Sequence, residues 1–234
     1  MSVKIQSICL MNGPGEKVAL MRVLAAADIH GAVPVYQWLI TLTPSSDALI
    51  LAGDLFDGDF DEGQRQQAQA ILQVLRHSKV PVLYIMGNDD NVPLDHEDDL
   101  IRPLHGRRID LGEYNFVGYQ YTPPFVGDTF VKPDEEIAED LRLLEPLVDS
   151  RTVLVTHTPA FEHLDLCNAG NVGSKALAEF LKRKPALAHI HGHIHYRFGI
   201  DGNHFNVAAA ARSRAMFIEL PSLHTELVKG SVEP

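Results

Sequence analysis

Short apolar runs recur along this chain, and each ends on a polar residue of one of three kinds. Residues 23–27 run into Asp28, 49–52 into Gly53-Asp54, 82–86 into Gly87-Asn88, 153–156 into His157 and 187–191 into Gly192-His193. A short continuous apolar run suits a strand buried on both faces. Between the runs, apolar positions three and four apart predict one-faced helices. They fall at Val35, Trp38, Leu39 and Leu42 behind Pro34, and at Ala68, Ile71, Leu72 and Leu75 with Gln and Arg on the outer face. A third set is Ile137, Leu141, Leu144 and Val148, where Asp134, Glu135 and Glu136 suit the positive helix end. The last is Leu177, Phe180 and Leu181, which Ser174 can cap.

The remaining segments read as connections and late strands. Residues 57–63 form an acidic loop, 91–106 a surface loop, and 121–127 a packed lid with an aromatic rim. Residues 108–111 and 115–119 form a strand pair, and 204–209, 215–220 and 223–228 predict three strands of a second, mixed or antiparallel sheet. Residues 1–21, set off by Gly13-Pro14-Gly15, are an N-terminal arm or edge strand, and 22–234 a single domain with Trp38 in its core.

Composition narrows the function classes. The 234 residues carry 20 Lys plus Arg against 31 Asp plus Glu, a formal net charge of −11, with no basic cluster, so a nucleic-acid groove is not expected. Only Cys9 and Cys167 are present, without metal-type spacing, which fits a reducing compartment. No segment matches a secretory signal or the ~20 apolar residues of a membrane span, so a cytoplasmic protein without membrane partners is expected.

The polar ends of the strands carry the chemistry. Open α/β sheets hold ligands at the carboxyl ends of their strands. Asp28 and His30, two apart on a segment leaving the sheet, can reach one cation, and His193 and His195 repeat that spacing. Nitrogen and oxygen donors without thiolates suit Mn, Fe, Zn, Co or Ni. The seven candidates Asp28, His30, Asp54, Asn88, His157, His193 and His195 exceed the four of a closed zinc site, which predicts two adjacent divalent ions. Two ions about 3.5–4 Å apart can share a carboxylate and a hydroxide and clamp a phosphate ester.

The order Asp28-x-His30, Gly53-Asp54-x-x-Asp57, Gly87-Asn88-x-Asp90, His157, Gly192-His193-x-His195 resembles the calcineurin-like metallophosphoesterases. The run from Val172 to Leu177, followed by Gly-His-Ile-His, looks like their small single-domain prokaryotic branch. The resemblance implies an α/β fold, a four-layer αββα sandwich of two mixed sheets flanked by helices. It implies that Asp28, His30 and His195 bind one ion, Asn88, His157 and His193 the other, and that Asp54 bridges. Asp57 and Asp90 would orient ligand histidines or waters.

One position departs from the family. Where Gly-Asn-His-Asp or -Glu is usual, with the histidine near the leaving-group oxygen, this chain has Asp89. Two cations would lower the pKa of Asp89 and leave it a poor proton donor. Either His30, His96, His105 or His163 then supplies the proton, or substrates with good leaving groups are favoured; the second is our expectation. The resulting reading is hydrolysis of a small phosphorylated substrate, a diester ahead of a monoester, with Mn the foremost metal in vitro and a homodimer possible. Asn88, Asp89 and His30 would be the groups nearest the reacting atoms. Its rivals are a non-catalytic metal-binding scaffold of the same fold and a mononuclear hydrolase of another bond.

Overall fold

Pairing of the apolar runs builds two sheets. The computed structural model describes residues 9–11, 17–58, 61–94, 96–125, 127 and 129–231. In the first sheet Met21–Ala26, Ala48–Ala52, Val82–Ile85 and Ile101–Pro103 run parallel. Arg214–Leu220 pairs antiparallel with Met21–Ala26, and His224–Lys229 antiparallel with it in turn. In the second, Tyr114–Tyr119, Thr152–Thr156, Ala188–His191 and His204–Asn206 run parallel, bounded by antiparallel Arg108–Leu111 and Gly199–Asp201.

The faces of each sheet explain why the runs lack polar alternation. Val23, Ile50 and Ile85 of the first sheet meet Phe116, Val155, Ile190 and Phe205 of the second. On the outer face of the first sheet, Leu24, Leu49 and Leu51 pack against helices α1 (Val33–Leu42) and α2 (Asp61–Leu75) through Val35, Leu39, Ile71 and Leu75. On the outer face of the second, Val117 and Leu154 pack against α3 (Asp134–Leu144) and α4 (Lys175–Arg183) through Ile137, Leu141, Leu177 and Phe180. A strand covered on both sides has no water-facing position to fill with polar residues. Helix, sheet, sheet, helix is the expected four-layer sandwich of two mixed sheets. The Ser174 hydroxyl accepts from Leu177 N, the cap expected of it.

Four details differ from the sequence reading. The C-terminal strands do not form one sheet: His204–Asn206 joins the second, while the last two extend the first. Ile101–Pro103, inside the predicted loop, is an edge strand, because three residues suffice to continue a parallel ladder that Val82–Ile85 presents. Helix α2 starts at Asp61, inside the predicted acidic loop. Trp38 is only half-buried; it lies at the rim of α1, where a Cβ on Gly230 would come within 2.9 Å of its indole. The Cys9–Met11 strand pairs with Lys17–Ala19 as a separate ribbon, and Met21 already belongs to the central strand. Among the described residues no helix is long and apolar enough to cross a membrane.

Candidate metal centre

Strand register brings the polar ends together. Ala26 faces Leu51, and Ala52 faces Ile85, so Asp28, Asp54 and Asn88 leave the first sheet side by side. Ile190 faces Val155 in the second sheet, and His157 and His193 leave it together. The loops are then laced by main-chain bonds: Asp28 N and His30 N donate to Gly53 O and Asp54 O at 3.0 and 3.1 Å, and Gly192 N to His157 O at 3.1 Å.

This lacing forces unusual backbone. Asp28, His30, Asp54 and His193 have φ of 55°, 48°, 51° and 70°. Left-handed backbone is costly for residues with a Cβ and persists where surroundings over-determine it. Four candidate ligands carry it, which is strain concentrated at one site. Two motif glycines permit the approach of the loops. A Cβ on Gly53 (φ 92°) would lie 2.4 Å from His157 Nδ1, and one on Gly87 2.4 Å from Asp54 N and 2.1 Å from its Oδ1.

The side chains converge accordingly. Donor atoms of Asp28, His30 and His195 lie within 4.8 Å of one another, as do those of Asp28, Asp54 and His157, and of His30, Asp54 and Asp89. His195 Nε2 is 2.9 Å from Asp28 Oδ1 and 3.3 Å from His30 Nε2. His157 Nε2 is 3.2 Å from Asp54 Oδ2 and 3.0 Å from Asn88 Oδ1. Its Nδ1 must carry the proton, because it lies 2.8 Å from the Ala52 carbonyl, and this leaves Nε2 as the donor atom for a cation. His193 packs edge-on to His157 with ring centroids 5.1 Å apart, while its main-chain N–H donates to both Asp28 oxygens. The set fits divalent ions on chemical grounds: buried carboxylates, imidazoles and one amide oxygen, with no thiolate.

The protein's own charges show how strongly the donors couple. Burial lowers the His157 pKa, but the Asp54 carboxylate, aided by Asp28, overrides it and lifts it to about 10. Burial raises Asp54, yet the His157 imidazole holds it well below the usual carboxylate range. Burial, then the neighbouring His157, brings His193 down to about 4. His195 is raised by its bond to Asp28.

The three remaining carboxylates play distinct parts. Asp89 Oδ1 accepts from Asn88 Nδ2 at 2.7 Å, and its Oδ2 faces His30 Nδ1 at 3.9 Å. Burial and the Asp54 charge push Asp89 up. Asp90 accepts from Leu55 N and Phe56 N with one oxygen and Gly87 N with the other. It therefore braces the main chain around Asp54 and Gly87. Asp57 is exposed, and the Gln67 side-chain amide holds its main-chain N–H and carbonyl.

Of the alternative proton donors only His30 is at the cluster. His96 pairs with Asp98, His105 lies among Tyr119 and Tyr121, and His163 stacks on His204 and pairs with Asp201. His189 and His191 are fully buried, and His189 bonds Thr156 and His204. Sequence reasoning missed Gln64, placed on the outer face of α2 but fully buried. Its Nε2 donates to Gly58 O and Asp89 O while its Oε1 accepts from Asn91 N, fixing the Asn88–Asn91 loop. The signal was available, since Gln64 extends the 68, 71, 75 stripe by one turn.

Comparison with known proteins agrees with this architecture. The chain is 28% identical over 201 residues to a probable rhamnogalacturonate lyase C of Emericella nidulans, covering 77% of this chain and 18% of that one. It is 25% identical over 167 residues to a UPF0046 protein of Caenorhabditis elegans, covering 70% and 51%. The chain thus spans about half or less of the length of these relatives. Among solved structures, TT1561 of Thermus thermophilus superposes with a TM-score of 0.67 at 17% identity, over 90% of this chain and 99% of that one. Purple acid phosphatase PPD1 of yellow lupin gives 0.57 at 13%, over 92% and 52%. At such identities these structures share the fold. Residues 21–197 match the model of the calcineurin-like phosphoesterases, and the chain therefore belongs to this family of metal-dependent enzymes.

Proposed function

We propose that the chain hydrolyses a phosphodiester with two divalent ions, Mn foremost among them. The observation that carries this is the overlap of three donor triads: Asp54 is shared by one with Asp28 and His157 and one with His30 and Asp89, and Asp28 and His30 recur in the third, with His195. Overlapping triads offer more donors than one four-coordinate ion takes, which supports two ions, and we assign the bridging role to Asp54. Asp28, His30 and His195 would hold one; Asn88, His157 and His193 the other. Such ions supply Lewis acidity toward phosphoryl oxygens and a lowered water pKa.

The chain's own residues do the positioning. Ala52 O fixes the His157 tautomer, Asp89 fixes the Asn88 amide, and Asp90 fixes the loops that carry Asp54 and Asn88. Because Asp89 replaces the family's histidine, protonation of the leaving oxygen is weak, and diesters with good leaving groups are favoured. The test is metal content and hydrolysis of bis(p-nitrophenyl) phosphate against p-nitrophenyl phosphate. Two ions per chain, faster diester turnover, and loss of at least a hundredfold in Asp54→Asn support the reading. One ion per chain, or a faster monoester, overturns the dinuclear or the diester part. Bound metal without turnover on any ester favours a scaffold.

A further inference from the structure

Among the described residues six large apolar side chains are exposed: Phe125, Leu143, Leu166, Tyr196, Ile200 and Leu227. Isolated exposed apolar residues need no explanation, but three of these line one groove. Phe125 is 42% exposed, Leu166 48% and Tyr196 82%. The groove, about 820 Å³, opens on His193 and His195, so it is continuous with the candidate metal centre.

The chemistry of its walls is one-sided. The Phe125 ring meets His193 edge-on with centroids 6.1 Å apart. Arg197 Nε donates to Leu166 O at 2.7 Å, tying the far wall to the segment that follows His195. The Arg212 guanidinium lies 5.1 Å from the Tyr196 ring centre. Among the described lining residues there is an arginine and no carboxylate, in a chain of net charge −11. Exposed rings beside an arginine suit a flat uncharged group that can stack on them. Because the groove ends at the candidate ligands, that group must be joined to the phosphoryl group they bind.

We infer that this groove receives the organic part of the substrate and that this part carries a planar aromatic ring. The inference rests on the phosphoesterase reading above. It makes Phe125 and Tyr196 residues that set specificity, neither of them needed for the core.

Leaving-group acidity must be separated from ring binding. Benzyl methyl phosphate and ethyl methyl phosphate release similar alkoxides and differ by the ring. With metal-loaded full-length protein, kcat/KM for the benzyl ester should exceed that for the ethyl ester by about tenfold, the size of one stacking contact. Tyr196→Ala and Phe125→Ala should each reduce that ratio several-fold, through KM, while Tyr196→Phe keeps it. Calorimetric titration should show tighter binding of benzylphosphonate than of ethylphosphonate, with the difference lost in Tyr196→Ala. Turnover with a ratio near one, or a ratio untouched by both alanine variants, overturns the groove assignment alone. If bis(p-nitrophenyl) phosphate is not hydrolysed either, the phosphoesterase reading has failed; whether or not the alkyl esters turn over, equal or absent binding of the two phosphonates overturns the groove assignment separately.

Discussion

Asn88 Nδ2 donates to Asp89 Oδ1 at 2.7 Å while Asn88 Oδ1 sits 3.0 Å from His157 Nε2. An amide has two nearly isosteric ends, and only the oxygen can bind a cation. Asp89 accepts hydrogen bonds, so it selects the rotamer that turns the oxygen inward. Asp89→Ala should therefore weaken Mn²⁺ binding by about tenfold, the lower end for losing an outer partner. Because the side chain of Asp89 is 40% exposed, the thermal midpoint without metal should barely move. Titration calorimetry reads the first and a thermal scan the second; unchanged affinity would show that Asn88 needs no such guide.

The same position should tune the leaving group. A histidine there could donate a proton, which an ionised aspartate cannot. Asp89→His is expected to raise kcat on an alkyl-leaving diester by about tenfold or more while changing a nitrophenyl-leaving diester by less than about threefold. Steady-state rates on both esters check this. A parallel rise, or none, would separate Asp89 from leaving-group protonation.

How much of this was legible depends on what each residue responds to. The ligands at strand ends were visible because burial on both sheet faces removes polar residues from a strand, so Asp54 and His157 stand out where it stops. The left-handed backbone at Asp28 and His193 was not visible, since it is imposed by main-chain bonds between loops far apart in sequence. Asp90 was found, but its main-chain partners were not: a carboxylate after Gly-Asn reads equally as an outer partner of a histidine or water and as a receiver of main-chain N–H groups. Ile101–Pro103 escaped because its strand character comes from the ladder it joins, not from its three residues.

Close approach of the loops makes a sharp test of Gly87. A Cβ there would collide with Asp54 N, which cannot rotate away as a side-chain end can. Gly87→Ala should cost about 1–3 kcal/mol of stability, as overpacking does, and reduce metal stoichiometry by separating Asp54 from Asn88. Gly63→Ala, where nothing lies within 4 Å of the added methyl in helix α2, should instead be neutral or stabilising by up to about 1 kcal/mol. Urea denaturation of the two variants distinguishes a steric demand at Gly87 from a general cost of replacing glycine.

Away from the metal centre, Asp149 should contribute to acid stability. Its desolvation raises its pKa, but bonds from Arg108, Arg151 N and Asn115 outweigh that and hold it at about 2. A carboxyl whose folded pKa lies below its unfolded one stabilises the fold above the unfolded pKa, about 3.9. That stabilisation is lost as pH falls from about 4 through about 2, because the unfolded chain takes up the proton first. The bonds join Arg108–Leu111 and Tyr114–Tyr119 to the turn before Thr152–Thr156, so protonation loosens one edge of the second sheet. Asp149→Asn should be less stable than wild type at pH 7, and the difference should shrink steadily between about pH 4 and about pH 2. Urea midpoints across that range check the sign; a gap that widens on acidification would mean that Asp149 is not held ionised by these partners.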